Sequence, residues 1–160
     1  MLRDARPDDL TRILELNEAA VPTVNSVPLS RMAWFLDVAP YFRVAEVDND
    51  IAGFLIGLVP GIDYVSMYYR WFCDRYEHFA YIDRVVVAER NRGQRIGWQF
   101  YTDFLRFAKE NRAPCLVCEV NIEPPNPGSM AFHKAFGFEQ IGTMSNEDGS
   151  KVVATMNRDV

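Results

Sequence analysis

Hydrophobic residues in the first half of the chain recur at helical spacing and then at strand spacing. Leu10, Ile13 and Leu14 follow Pro7, with Asn17 on the same face, which predicts a helix that ends near Ala20. Residues 29–38 fit a second helix. Residues 2–5 fit a short strand, and residues 42–47 and 51–59 fit a hairpin that turns at 48–50.

The second half continues with strands and helices in alternation. The apolar run Val85, Val86, Val87 closes a predicted central strand over residues 79–87, and Phe100, Phe104, Leu105 and Ala108 mark one face of a helix. The remaining predicted elements are that helix at 97–111, a strand at 115–121, a short helix at 129–136, and a closing hairpin of strands 138–143 and 151–157. The order β-α-α-β-β-β-α-β-α-β-β predicts an α/β fold with a mixed, mostly antiparallel sheet flanked by helices.

Between two predicted strands lies an aromatic segment, residues 60–77, which is longer than a hairpin loop requires. Two interpretations stay open. The rings cover the sheet or form a homodimer contact, or they line an acceptor pocket, since aromatic side chains commonly shape ligand sites.

Length and charge restrict the classes of protein. A chain of 160 residues with 49% apolar residues fits a single domain over 1–160. The net charge of -5 disfavours nucleic acid as a partner. With no apolar run of about 20 residues and a polar, acidic N-terminus, we expect no membrane span and a cytoplasmic protein.

The cysteines do not form an obvious metal site. Cys115 and Cys118 are spaced as CxxC but fall in a predicted strand, where residues three apart point to opposite faces. His78 and His133 do not complete a zinc set. We therefore predict buried thiols and no metal.

The clearest motif is RNRGQRIG, residues 90–97, which follows the valine run and opens a helix. A glycine loop between strand and helix presents backbone N–H groups to an anion. Neither GxGxxG nor GxxxxGK[ST] is present, so a dinucleotide fingerprint and a Walker loop are excluded. A different kind of phosphate-bearing ligand is therefore expected.

This loop resembles the acetyl-coenzyme A loop of the GNAT N-acetyltransferases, with Arg92 in the first position and Gly97 in the last. A second segment, NPGSMAFHKAFGFEQIG at residues 126–142, resembles the closing segment of that family. Two residues differ from the family pattern, because Arg95 replaces a glycine and His133 replaces a tyrosine. The resemblance covers essentially the whole chain and implies the GNAT fold.

The resemblance implies acetyl-coenzyme A (acetyl-CoA) as cosubstrate, held partly by the backbone of the first of two strands that splay apart. We expect Arg95 to have a negative φ in the first turn of the helix, from which its side chain can reach a phosphate. Asn126 has a second interpretation as a helix N-cap. The implied cofactor-binding residues are Val85, Val86, Val87, Arg92, Gly93, Gln94, Arg95, Ile96, Gly97, Trp98, Asn121, Asn126, Ser129 and Phe132.

Two catalytic roles remain to be filled. Asp83 and Glu119 are candidate bases, since partial burial in a strand raises a carboxyl pKa, and we select Asp83. Arg84 offers Asp83 a competing role in an ion pair. His133 takes the position of the family's tyrosine, which implies that it protonates the departing thiolate.

The predicted function is transfer of an acetyl group from acetyl-CoA to a primary amine by direct attack. The alternative is a non-catalytic acyl-CoA-binding sensor or interaction module, which the two departures from the pattern support. No motif identifies the acceptor, which is a small molecule or a peptide.

Overall fold

The computed structural model describes residues 1–160, which form seven strands and five helices. The strands are β1 Leu2–Asp4, β2 Tyr41–Val47, β3 Asp50–Leu58, β4 Ala80–Val87, β5 Cys115–Glu123, β6 Glu139–Ser145 and β7 Val152–Asp159. The helices are α1 Leu10–Ala19, α2 Leu29–Val38, α3 Met67–Arg75, α4 Ile96–Glu110 and α5 Pro127–Ala135. The predicted element order is confirmed except for α3.

Hydrogen bonds link the strands in the order β1-β2-β3-β4-β5-β7-β6. The pairs β1–β2, β2–β3, β5–β7 and β6–β7 are antiparallel, whereas β4 and β5 are parallel. The mixed, mostly antiparallel sheet is therefore confirmed. Two compact units can be distinguished, a first unit of residues Met1–Val59 and Ile82–Phe107, and a second unit of Pro60–Tyr81 and Ala108–Val160.

In the first unit, β3 lies close to the backbone of β4. Asp48 and Asn49 form the turn before β3 with φ values of 53° and 62°, a conformation that matches the twist of a two-residue hairpin. On β3, a Cβ added at Gly53 would lie 2.6 Å from the carbonyl oxygen of Val86. Phe54, Phe100 and Phe104 are fully buried beside these contacts.

In the second unit, the aromatic segment contains the helix α3, which the sequence analysis did not predict. The Ser66 side chain caps it by accepting a hydrogen bond from the Tyr69 N–H at 3.4 Å. Tyr69 and Phe72 are fully buried and make ring contacts with Tyr81. Ser66 and the helical spacing of these rings were the sequence signals for α3, and the absence of a hydrophobic stripe along the whole segment obscured them.

The remaining sequence-level expectations concern cysteines and membrane spans. Cys115 and Cys118 are buried and unbridged, and Cys73 is also a free thiol. No cluster of three or more His, Cys, Asp or Glu side chains is arranged to hold a metal ion. None of the helices has the length and apolar character that crossing a bilayer requires.

Gly53→Ala tests the close approach of β3 to Val86. We expect a loss of about 1 to 3 kcal/mol in the free energy of unfolding, since the new methyl group would overlap a backbone oxygen that cannot rotate away. Urea titration provides the measurement. Gly128→Ala is the matched control, because a Cβ at Gly128 meets nothing within 4 Å, and it should leave stability unchanged or slightly raised. Equal stability of the two variants would contradict the contact.

Candidate active site

The motif at residues 90–97 forms a loop between β4 and α4, as predicted. At the end of β4, the Ala88 N–H donates to the Ala52 carbonyl oxygen at 2.7 Å. A single 3-10 turn over Glu89–Asn91 follows, and Gly93 has a φ of 82°. The Arg95 carbonyl oxygen then accepts the first bond of α4 from the Gln99 N–H at 3.0 Å. The first-turn N–H groups of this helix have no intrahelical acceptor, which suits an anion.

The expected backbone conformation of Arg95 is wrong. Its φ is 62°, in the left-handed region that favours glycine. The reason is that Arg95 precedes α4 as its N-cap residue and is not part of the first turn. A non-glycine residue in this conformation is strained.

A groove of about 530 Å³ lies beside this loop in the first unit. Its apolar wall comes from the end of β4 and from α1, and arginines lie at its rim. Such a combination suits a ligand with an apolar arm and a phosphate group. The lining residues are Arg12, Leu16, Ala19, Ala20, Val86, Val87, Ala88, Glu89, Arg90 and Arg92.

Two of the arginines that line the groove form ion pairs with acidic side chains. Arg90, the first residue of the glycine-loop motif, forms an ion pair with Asp50. Arg12 also pairs with Asp50, at 3.3 Å, and with Glu15 at 3.2 Å. Arg12 was missed by sequence reasoning, because its helix was judged by its buried face alone. Gln94 does not line this groove but a neighbouring cavity of about 410 Å³, which shares Arg90 with the groove.

Asp83, the candidate base selected from the sequence, forms an ion pair with the neighbouring Arg84. Its Oδ2 accepts from Arg84 Nε at 2.8 Å, and its side chain is 3% exposed. Arg84 in turn donates to Asn17 Oδ1 at 3.1 Å and to Asn25 Oδ1 at 2.9 Å. This buried network connects β4 to α1 and the loop that follows it.

In the second unit, β5 leads directly to α5. The Asn126 N–H donates to the Asn121 carbonyl oxygen at 3.3 Å, so the predicted cofactor residues Asn121 and Asn126 lie together. The Asn126 side chain accepts from the Ser129 N–H at 3.2 Å and caps α5. The Asn126 side chain is therefore a helix N-cap, as the second interpretation predicted.

His133 lies on α5 beside Ser129 and Phe132. Its imidazole Nδ1 is 2.7 Å from the Ser129 carbonyl oxygen, and only 5% of the residue is exposed. Burial lowers the pKa of His133, and the bond to Ser129 offsets part of that effect. With Nδ1–H donated to a carbonyl, the neutral ring carries its lone pair on Nε2.

Glu119, the second candidate base, has a hydroxyl partner that the sequence analysis did not name. The Tyr81 hydroxyl lies 3.0 Å and 2.9 Å from the two carboxylate oxygens of Glu119. Tyr81 is beside Val117 in the parallel pairing of β4 with β5, and Glu119 follows two residues later on the same face. The signal for this pair was the strand register, which a single sequence does not provide.

A family model for the acetyltransferase (GNAT) family matches residues 5–138. The chain belongs to this family. It is therefore an acetyl-CoA-dependent acyltransferase, and the predicted GNAT fold is confirmed. No curated protein matches the chain in sequence.

Solved structures of GNAT proteins share this fold at low sequence identity. Chaetomium thermophilum Naa20, solved with a bisubstrate analogue, is 21% identical with a TM-score of 0.80, over 100% of this chain and 86% of that one. Thermoplasma volcanium Ard1 is 21% identical with a TM-score of 0.81, over 100% and 97%. A Brucella melitensis ribosomal-protein-alanine N-acetyltransferase is 23% identical with a TM-score of 0.74, over 100% and 99%.

Arg95 replaces a GNAT glycine, and two variants test its strained backbone. Arg95→Gly and Arg95→Ala both remove the guanidinium, but glycine alone adopts a positive φ without strain. We expect Arg95→Gly to be more stable to unfolding than Arg95→Ala by about 1 kcal/mol. Gly93→Ala, at a φ of 82°, is the control and should lose a similar amount. Equal stability of the two Arg95 variants would show that the residue is unstrained.

Proposed function

We propose that this protein transfers the acetyl group of acetyl-CoA to the primary amine of an acceptor by direct attack, without a covalent acyl-enzyme. The single observation that supports this proposal most is the groove beside the glycine loop, with its apolar wall and arginine rim. Acetyl-CoA supplies the activated thioester. Its phosphates suit Arg92, Arg95 and the N–H groups from Gly93 to Trp98, and its apolar arm suits the end of β4.

Asn121, Asn126, Ser129 and Phe132 of the second unit are proposed as further cofactor-binding residues, as the family pattern implies. For the base we propose Glu119 in preference to Asp83. Asp83 is buried and paired with an arginine, whereas Glu119 is partly exposed and is hydrogen-bonded by a neutral hydroxyl. A carboxylate that is held in an ion pair, as that of Asp83 is, has less capacity to accept the amine's proton.

Coenzyme A should stabilise the folded protein. A ligand that binds the folded state alone adds about 2.7 kcal/mol at 100 times its dissociation constant, so the unfolding temperature should rise. Arg92→Ala should weaken binding by about 1 to 3 kcal/mol, as expected for a hydrogen bond to a charged group. Arg31→Ala is the matched control, since Arg31 lies over Trp34 on α2 and has no proposed role. Coenzyme A that leaves the transition unmoved would contradict the proposal.

Acetyl transfer can be measured with amines of different classes. The structural neighbours include a ribosomal-protein-alanine N-acetyltransferase, so the panel contains a peptide with a free N-terminal alanine. An N-terminally blocked peptide with one lysine and a short alkylamine complete it. We expect release of coenzyme A thiol with one class well above the others. Binding of coenzyme A without turnover of any amine would favour the non-catalytic alternative.

Paired variants distinguish the two candidate bases. Glu119→Gln keeps the shape and the hydrogen bond from Tyr81 but cannot take a proton, so turnover should fall by about 100-fold or more. Asp83→Asn should act mainly on stability, because it leaves the Arg84 guanidinium without its charged partner. Turnover and the urea midpoint are measured for both. The opposite pattern, with turnover lost in folded Asp83→Asn alone, would restore Asp83 as the base.

His133 remains the proposed acid for the departing thiolate, and its burial determines how it should depend on pH. Because burial lowers its pKa below the usual value of about 6.5, protonated His133 is present mainly at acidic pH. The ratio of wild-type to His133→Ala turnover should therefore fall toward unity as the pH rises. His133→Tyr, with a phenol pKa near 10, should lose less at high pH. A ratio within about twofold of unity at every pH would remove the role.

A further inference from the structure

Two arginines that line the groove of the first unit share one carboxylate, that of Asp50 on β3. Arg12 comes from α1 and Arg90 from the loop that follows β4, and each forms an ion pair with Asp50 Oδ2. The third arginine of the groove, Arg92, has no side-chain partner. The three cations of the groove therefore differ in how available they are to an anion.

Asp50 itself lies outside the groove and lines the neighbouring cavity, together with Arg90. Its Oδ1 accepts a hydrogen bond from the Ile51 N–H at 2.8 Å, which fixes the carboxylate to the backbone of β3. Arg12 divides its two terminal nitrogens between two acids, with Nη2 at 3.3 Å from Asp50 and Nη1 at 3.2 Å from Glu15. Arginine side chains have many rotamers, so the arginines are the partners that can move.

The two ion pairs with Asp50 are of a kind that a ligand can replace. The side chains of Arg12, Asp50 and Arg90 are 34%, 39% and 64% exposed. Ion pairs in such exposed positions contribute little to stability. The phosphate groups of coenzyme A offer more acceptor oxygens and more negative charge than one carboxylate, and guanidinium groups form strong, charge-assisted hydrogen bonds with them. A phosphate in the groove therefore competes with Asp50 for both arginines.

We infer that Asp50 holds Arg12 and Arg90 in the free protein, and that a phosphate of coenzyme A takes over both arginines when it binds in the groove. Asp50 acts on the ligand only through these arginines, as a positioning residue. The inference rests on the proposed binding of acetyl-CoA and adds two arginines to that site. Because acetyl-CoA and coenzyme A carry the same phosphates, the exchange lowers the affinity for both and favours release of the product.

Asp50→Asn tests the competition. Asparagine keeps an Oδ1 acceptor for the Ile51 N–H but removes the charge that pairs with the two arginines. We expect coenzyme A to bind about fivefold more tightly, since two exposed ion pairs no longer have to be broken. Isothermal titration calorimetry at one ionic strength gives the dissociation constants, and thermal melts verify the fold. A merely structural role of Asp50 would not produce a gain in affinity.

Asp48→Asn and Glu89→Gln are the matched controls for the change of charge. Asp48 lies two residues before Asp50, and asparagine tolerates its φ of 53°. Glu89 lines the groove itself. Neither side chain forms an ion pair, so neither substitution releases an arginine. Both controls should change the affinity much less than Asp50→Asn does. Gains as large as that of Asp50→Asn would indicate general charge repulsion and would overturn the inference.

Arg12→Gln tests whether the released arginine reaches the ligand. Glutamine removes the guanidinium and is itself a good helix former. Coenzyme A should bind about tenfold more weakly, as expected for a lost hydrogen bond between charged groups. Asp50→Asn should give a smaller gain in this background, because only Arg90 is left to release. Unchanged affinity in Arg12→Gln would contradict the inference, and this result does not depend on the folding of Asp50→Asn.

Three ligands identify the phosphate that the arginines bind. Coenzyme A carries a pyrophosphate and a ribose phosphate, dephospho-coenzyme A carries the pyrophosphate alone, and pantetheine carries neither. A gain in Asp50→Asn that persists with dephospho-coenzyme A assigns the pyrophosphate, and a gain confined to coenzyme A assigns the ribose phosphate. A gain of the same size with pantetheine would overturn the inference, because no phosphate is then present.

The same titrations separate this inference from the proposed function. If coenzyme A binds the wild type and Asp50→Asn equally well, the exchange of partners is wrong and the proposed acetyl transfer is unaffected. If coenzyme A binds neither protein, both proposals are wrong.

Discussion

The hydrogen bond that directly follows β4 determines where the glycine loop begins. Directly after β4, the Ala88 N–H donates to the Ala52 carbonyl oxygen of β3. Beyond that point the chain turns through one 3-10 turn and enters α4, so the helix N-terminus follows the strand within a few residues. Gly53 is part of the same constraint, because its missing side chain lets β3 approach the backbone of Val86. The glycine loop depends on this close packing.

The left-handed Arg95 illustrates a conflict between local preference and site geometry. Glycine would adopt the observed φ of 62° without strain, and the family pattern has glycine in this position. An arginine there adds a cation next to the N–H groups of a helix terminus, where an anion is stabilised. Strain of this kind persists only where the surrounding structure enforces it. Arg95 lies between Gly93, which also has a positive φ, and the first hydrogen bond of α4.

The aromatic segment serves two purposes in the second unit. Tyr69 and Phe72 fill the core beside Tyr81, as the interpretation that rings cover the sheet requires. Tyr68 and Trp71 instead lie on the face that carries cations of the chain. A single helix can do both because its two faces are separated by its own periodicity. The interpretation that the rings cover the sheet therefore holds for Tyr69 and Phe72, and the acceptor pocket stays a prediction for the exposed rings.

Local patterns in the sequence determined most elements of the fold and the glycine loop, because turn residues, periodicity and the strand–loop–helix order are properties of neighbours in the chain. The family resemblance added the proposed cofactor residues. Tertiary structure alone decided that Asp83 forms an ion pair with Arg84 and that Glu119 accepts a hydrogen bond from the Tyr81 hydroxyl. It also decided that His133 is buried and that Lys151 lies over the Tyr68 ring. These contacts join residues by strand register and side-chain packing, which a single sequence does not record, and burial then sets the protonation of the groups concerned.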